Sequence, residues 1–200
     1  MQYPKDVVIV AGVRTAHGKF RGSLFQTSAV DLGALAIKET LKQVELDAKL
    51  VEEVIMGNVL SAGIGQHPAR QSAIKADIPD EIPALTVNKM CGSSMKAIML
   101  AANAIRAGES EILIAGGMES MSQSPFTVSR AKDGKVSMEK PIDSMMHDVL
   151  IDQFNGMVMA QTGNRIAEQF GITRDEADLF AIESHIRAHN AHKKGKFKED

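Results

Sequence analysis

Short apolar runs alternate with longer helical patterns over the first 118 residues, and this alternation constrains the fold more than any other feature. Residues 7–13 (VVIVAGV) form a β-branched run that is typical of a strand buried on both faces. Further strands are predicted at 53–60, 84–88 and 112–115, and helices at 31–46, 68–76 and 91–107. Strands that alternate with helices favour βαβ units. We therefore expect an α/β domain over residues 1–118, with a mixed, mainly parallel sheet and flanking helices.

The character of the sequence changes after Met118. Residues 118–159 hold seven of the twelve methionines, several serines and no predicted strand. Methionine-rich surfaces adapt to what they bind, so this segment is either a ligand-facing excursion or flexible loop packing. Two helices are predicted to close the chain, and Thr173 with Glu176 has the pattern of a capping box at the start of the second helix. Residues 119–200 are therefore expected to form a partial helical domain.

Composition excludes several classes of protein. The net charge of −2 lacks the basic excess of a nucleic-acid-binding surface, and the single cysteine excludes a disulfide framework. The longest apolar-rich stretch, residues 95–107, is interrupted by Lys96, Asn103 and Arg106 and is too short to span a bilayer. The N-terminus has no leader pattern. We expect a soluble, cytoplasmic chain that binds neither membrane nor nucleic acid.

Cys91 is the residue with the clearest chemical potential. It lies where the predicted strand 84–88 meets a helix that begins at or near Gly92. The free N–H groups and partial positive charge of a helix N-terminus favour a thiolate, which is the nucleophilic form of cysteine. The N–H groups of such a turn are also candidate donors to an oxyanion. The alternative interpretation is a small buried hydrophobic residue.

Several segments of this chain carry recognisable motifs. Residues 87–97 (VNKMCGSSMKA) closely resemble the nucleophile segment of the thiolases, the acetyl-CoA acetyltransferase family, and residues 115–122 (AGGMESMS) match another segment of that family almost letter for letter. Residues 63–71 (GIGQHPARQ) resemble its GxGQxPARQ segment. Arg14-Thr15 and residues 159–176 continue the match in order. The resemblance covers essentially all 200 residues.

The resemblance implies a specific reaction. Cys91 would attack an acyl-CoA or a 3-ketoacyl-CoA and form an acyl-cysteine, with its own backbone N–H in the oxyanion hole. The acyl group would then pass to CoA or to acetyl-CoA. Leu150 and Met159 fall where the family lines the CoA or acyl channel, within a loop domain that covers the pantetheine arm. CoA is thus expected as a substrate, and neither a resident cofactor nor a metal is expected.

Two departures from the family pattern limit what is expected of this chain. Family members are about twice as long, and their Asn-Glu-Ala-Phe, Gly-His-Pro and Cys-x-Gly motifs do not occur among these residues. We therefore expect an N-terminal half without the C-terminal catalytic domain, inactive alone, that works as a homo-oligomer or with a complementary C-terminal half. In addition, Met157-Val158-Met159 lacks the histidine that acetyl-CoA-specific members often carry before the channel methionine.

Two other interpretations stay open at this point. A ketoacyl synthase would use the same cysteine position with acyl-carrier substrates, although the AGGMESMS segment favours a thiolase. A non-catalytic subunit or scaffold half would keep the fold and bind CoA or a partner without turnover. The length of the open reading frame and the intact mass of the purified protein distinguish a fragment from a natural half.

Three weaker patterns are disfavoured. Gly63 and Gly65 form a lone glycine pair without the lysine of a phosphate loop, so a dinucleotide site is disfavoured. No feature of the sequence aligns His147 and its neighbouring aspartates, Asp143 and Asp148, with Cys91 as a hydrolase relay.

The third pattern consists of histidines at i, i+4 and i+7 on the last predicted helix, namely His185, His189 and His192. That spacing is compatible with a soft metal. No carboxylate or cysteine completes the set, so a solvated helix face is favoured.

Overall fold

A three-stranded parallel sheet lies at the centre of the first part of the chain. In the computed structural model, which describes residues 6–136 and 139–197, the strands are β1 (Glu53–Gly57), β2 (Ala84–Val87) and β3 (Leu113–Gly117). Their order is β2-β1-β3, and β1 pairs in parallel with both neighbours. The parallel sheet expected from the alternating pattern is confirmed.

Three helices cover the two faces of this sheet. They are α1 (Ala29–Gln43), α2 (Pro68–Lys75) and α3 (Ser93–Ala107). Val54 and Met56 of β1 pack in one core cluster with α1 and α2, whereas Ile55 packs with α3 in another. Successive side chains of a strand point to opposite faces, so β1 contributes to both clusters and is buried on both sides. The α/β fold class and the helix positions are confirmed to within a few residues.

The prediction of a strand at residues 7–13 is wrong for this structure. The segment forms neither strand nor helix, and the side chains of Val8, Ile9 and Val10 are 72%, 80% and 73% exposed. A β-branched run has the propensity for a strand, but a strand also needs a hydrogen-bonding neighbour. Among the described residues, the sheet of β1, β2 and β3 does not include this run.

Short elements follow the sheet, where no strand was expected. Two-residue strands β4 (Phe126–Thr127) and β5 (Ile142–Asp143) pair in antiparallel fashion. A π-helical turn spans Met146–Leu150. These pairings are too short to produce a periodic sequence pattern, which explains why the sequence did not predict them.

The chain divides into two compact units. The first ends at residue 149 and the second begins at residue 150. The second unit holds α4 (Met159–Phe170) and α5 (Arg174–Lys193). The predicted capping box is confirmed, because the Thr173 hydroxyl accepts from the Glu176 N–H at 3.3 Å and the Glu176 carboxylate accepts from the Thr173 N–H at 2.8 Å. The domain boundary expected after residue 118 stays a prediction.

Candidate active site

Cys91 lies in a tight turn that joins β2 to α3, and its side chain is exposed. The Gly92 N–H donates to the Lys89 carbonyl at 3.1 Å, and the Ser93 N–H donates to the Met90 carbonyl at 3.0 Å. Met90 has a φ of 49°, in the left-handed region that residues other than glycine seldom adopt. The turn therefore changes the chain direction abruptly and presents the thiol immediately before the helix.

Two polar side chains hold the Cys91 turn in place. The Ser93 hydroxyl accepts from the Lys89 N–H at 2.8 Å and donates to the Met90 carbonyl at 2.6 Å. The Asn88 side-chain oxygen accepts from the Met90 N–H at 3.0 Å. Ser93 is 4% exposed, so its bonds are shielded from competing water. Asparagine and serine commonly stabilise turns through such bonds, but we did not predict this role from the sequence.

The amino end of α3 provides the electrostatic setting of the thiol. The helix begins at Ser93 with Gly92 as its N-cap, and no side chain caps it by a hydrogen bond. The prediction that a helix starts near Gly92 is confirmed. The first N–H groups of a helix lack intrahelical acceptors and carry partial positive charge, so they favour an anion beside them.

An open cleft of about 590 Å³ lies beside Cys91 within the first unit. Its walls include residues 57–60 at the end of β1, residues 117–122 at the end of β3, the loop at 13–20, and Ser93 and Ser94 of α3. Ligands of parallel α/β sheets usually bind outside the carboxyl ends of the strands. The cleft occupies that position, and Cys91 is the thiol in its wall.

Glu119 is a half-buried carboxylate in the wall of this cleft. It accepts from the Val59 N–H at 3.0 Å, the Leu60 N–H at 3.1 Å and the Asn58 side-chain amide at 2.9 Å. Burial raises the pKa of Glu119 above its usual value, and these hydrogen bonds oppose that change. No sequence pattern singled out Glu119 for a role of its own. The available signal was an acidic residue close after the strand that ends at Gly117.

The comparison with known proteins identifies the family of this chain. The sequence profile of the thiolase N-terminal domain matches residues 7–200. The chain belongs to the thiolase family. The resemblance inferred from its motifs is thereby confirmed.

Several full-length thiolases are similar to this chain. Acetyl-CoA acetyltransferases from Cupriavidus necator and Pseudomonas aeruginosa are 50% and 48% identical to it, over 98% of this chain and 50% of each relative. The crystal structure of the Acat5 thiolase from Ascaris suum in complex with coenzyme A matches with a TM-score of 0.91 and 40% identity. That match covers 98% of this chain and 51% of the Ascaris chain. This thiolase chain thus spans about half the length of the relatives it matches.

The two residues expected along a CoA or acyl channel lie in the second unit of this thiolase chain. Leu150 ends the π-helical turn, and Met159 is the first residue of α4 with 43% of its side chain exposed. Their assignment to a CoA or acyl channel stays a prediction.

Most residues of the weaker sequence patterns are exposed in the thiolase chain. His147 Nδ1 is 2.8 Å from the Asp148 carboxylate, and both side chains are more than half exposed. Asp143 accepts from the Met145 N–H at 2.9 Å. Within residues 6–136 and 139–197, no three His, Cys, Asp or Glu side chains are grouped so that they could hold a metal ion. Among the same residues, no helix is long and apolar enough to cross a membrane.

Proposed function

We propose that this chain supplies the nucleophile of a thiolase-type acyltransferase. Cys91 takes an acyl group from an acyl-CoA or a 3-ketoacyl-CoA, and the acyl group then passes to CoA or to acetyl-CoA. The observation that carries the proposal is the position of Cys91 at the amino end of α3, in the wall of a cleft at the carboxyl ends of the strands. The relatives named acetyl-CoA acetyltransferase support this class of reaction.

The proposed chemistry balances as two transfers. The Cys91 thiolate attacks the carbonyl carbon of the thioester, a new carbon–sulfur bond forms, and the CoA thiolate leaves. With a 3-ketoacyl-CoA the attack occurs at the C3 carbonyl, the C2–C3 bond breaks, and acetyl-CoA leaves after its C2 takes a proton. In the second transfer the CoA thiolate, or the C2 carbon of an acetyl-CoA that has lost a proton, attacks the acyl carbon, the bond to the Cys91 sulfur breaks, and the Cys91 thiolate leaves. N–H groups at the turn stabilise the oxyanion that precedes each departure, the Cys91 N–H among them.

The proposal also covers the ligands of this chain and the second half that it needs for catalysis. CoA and its thioesters are substrates rather than resident cofactors, and the CoA in the Ascaris thiolase supports this class of ligand. Leu150 and Met159 would line the channel for the pantetheine arm or the acyl chain. The groups that move protons would come from a C-terminal half, in the same polypeptide or a second one, and the assembly would be an oligomer. A cytoplasmic location and a role in fatty-acid metabolism complete the proposal.

Transfer of an acetyl group to Cys91 tests the proposed function. The chain is incubated with acetyl-CoA, alone and with the C-terminal half of a full-length thiolase, and is then digested and mapped by mass spectrometry. We expect one acetyl group on the peptide that contains Cys91, and none in the Cys91→Ala variant or in the urea-unfolded chain. A folded chain that stays unacetylated in both mixtures would favour the alternative, a non-catalytic scaffold half.

A further inference from the structure

Carboxylates join β1 to β3 at both ends of the strand pair. At the amino end, the Glu52 carboxylate accepts from the backbone N–H groups of Glu111 and Ile112, just before β3 begins. At the carboxyl end, Glu119 follows β3 and accepts from Val59 and Leu60, just after β1 ends. The two glutamates therefore make the same kind of contact between the same two strands, at opposite ends.

The carboxyl end of this strand pair is connected to the nucleophile. Glu119 holds the Asn58 side chain, and the Asn58 backbone N–H donates to the Val87 carbonyl at 3.0 Å. Val87 is the last residue of β2, and Asn88 directly after it holds the Met90 N–H. A continuous series of contacts thus runs from Glu119 to the residue before Cys91.

Burial makes this series of contacts difficult to replace with water. Asn58 is 2% exposed, and its side-chain N–H groups bind the Glu119 carboxylate and the Met118 carbonyl, the latter at 3.2 Å. Among the described residues, the Asn58 side-chain oxygen has no hydrogen-bond partner. Loss of the Glu119 acceptor would leave one N–H of this buried amide without a partner, while the other still binds the Met118 carbonyl. An unpaired buried N–H costs free energy and favours displacement of the side chain.

We propose that Glu119 is a positioning residue for Cys91, acting through Asn58 and the end of β2. It fixes the loop at 58–60 against β3, and this loop in turn fixes the strand end from which the Cys91 turn starts. The proposal deepens the proposed function and rests on it only for the role of Cys91 as nucleophile. No acyl-CoA is needed to test it, because the position of a thiol changes its reactivity toward any small electrophile.

The test compares Glu119→Gln with the matched variant Glu52→Gln in the full 200-residue chain. In Glu119→Gln, the new side-chain oxygen can still accept from Asn58 and Leu60. Its NH2 group then faces the Val59 N–H, so two donors meet and that hydrogen bond is lost. In Glu52→Gln a carboxylate contact between β1 and β3 is weakened at the end remote from Cys91. The pseudo-first-order rate of Cys91 alkylation by iodoacetamide is measured from pH 6 to 10 for each chain.

We expect Glu119→Gln to slow alkylation about tenfold across the measured pH range, because the thiol loses its position beside the α3 amino end. Amide hydrogen exchange in residues 88–93 should become faster in the same variant. Glu52→Gln should reproduce the parent profile, even where urea unfolding shows a similar loss of stability. Asn58→Ala keeps Glu119 and removes the link, so it should slow alkylation in the same direction.

Three results would overturn the proposal. They are a parent-like alkylation profile in Glu119→Gln, an equal change in Glu52→Gln, and, should Glu119→Gln fail to fold, a parent-like profile in Asn58→Ala. Failure of the proposed acyl transfer would leave these alkylation results unchanged, so the two ideas fail separately.

Discussion

A Cβ atom added to Gly57 would lie 2.7 Å from the carbonyl carbon of Ser93, closer than real Cβ contacts allow. The last residue of β1 therefore touches the backbone of the first turn of α3. On the adjacent strand, a Cβ on Gly117 would lie 1.9 Å from the Ser94 hydroxyl oxygen. These two glycines let the helix that follows Cys91 approach the carboxyl edge of the sheet.

We expect Gly57→Ala to lower the free energy of unfolding by about 1–3 kcal/mol, because backbone must move to admit the methyl group. Gly117→Ala should cost less, since the Ser94 side chain can rotate away. Gly116→Ala is the control, because its Cβ would lie 3.4 Å from the Met56 sulfur, an ordinary contact. Urea unfolding of the three variants measures the order of their stabilities. Equal stability of Gly57→Ala and Gly116→Ala would contradict this reading of the contact.

The ionisation of Glu119 should make stability depend on pH. Burial raises the pKa of Glu119 above its ordinary value of 4.5, so the folded chain binds this proton more tightly than the unfolded chain does. The contribution is fully present below about pH 4.5 and is lost as the pH rises through the folded-state pKa. The unfolding free energy of the parent minus that of Glu119→Gln should therefore fall as the pH rises.

The unfolding free energy of Glu119→Gln is subtracted because other carboxyl groups change stability with pH in the opposite direction. The side-chain hydrogen bond from Lys75 lowers the pKa of Asp31, so its stabilising contribution is lost as the pH falls. That contribution is common to parent and variant and cancels in the difference. A difference that rises with pH would show that the hydrogen bonds to Glu119 outweigh its burial.

The capping box at the start of α5 should be detectable by titration. The Thr173 backbone N–H, followed by its hydroxyl, lowers the pKa of Glu176 from the ordinary value of 4.5. Thr173→Ala removes the hydroxyl contact and should raise the pKa of Glu176 and weaken the helix by about 1 kcal/mol. NMR titration and amide exchange of the first turn measure both effects. Ser184→Ala, in the interior of α5, should leave the Glu176 titration unchanged.

The exposed face of α3 should drive association of the 200-residue chain. Ala97 and Ala101 face the sheet at 0% and 8% exposure, whereas Met95, Ile98 and Met99 are 66%, 45% and 48% exposed. An apolar patch of this kind favours a partner. Light scattering should give a mass above 21.6 kDa, and the double variant Met95→Lys/Met99→Lys should reduce it.

Val136→Lys is the control for this association, since it changes an equally apolar side chain that is 68% exposed elsewhere. It should leave the mass of the parent assembly unchanged. A sharp monomer peak for the parent chain, with cooperative melting, would rule out association through α3.

We expect no steady thiolysis of acetoacetyl-CoA by the 200-residue chain alone. The Gly-His-Pro and Cys-x-Gly motifs, where the resemblance to the family implies the proton-transfer groups, do not occur among its residues. Each such group typically contributes 10²–10⁴-fold to a rate, and losses within one catalytic unit do not simply multiply. Release of acetyl-CoA is followed with and without the C-terminal half of a thiolase. Sustained turnover by the pure chain, freed of host enzyme, would contradict the expectation.

Local patterns were sufficient to predict much of this molecule. The β-branched and apolar run of β1 has no polar residue from Val54 to Met56, and such a run is buried wherever helices cover both faces. The start of α3 near Gly92 and the capping box at Thr173 follow from rules that act within a few residues. The order of the motifs around Cys91 also predicted the family, because that information lies in the sequence itself.

Contacts between distant residues could not be predicted in this way. Residues 7–13 have a strand-like sequence, but whether they form a strand depends on a neighbouring strand to bond with. Glu119 meets Val59 and Leu60 only because parallel pairing aligns the carboxyl ends of β1 and β3. The closeness of Gly57 to Ser93 likewise depends on how α3 packs on the sheet. The sequence by itself thus determined most of the helices and strands around the sheet and indicated Cys91 as the candidate nucleophile, whereas tertiary packing decided which distant groups surround Cys91, since no local rule specifies distances across a sheet.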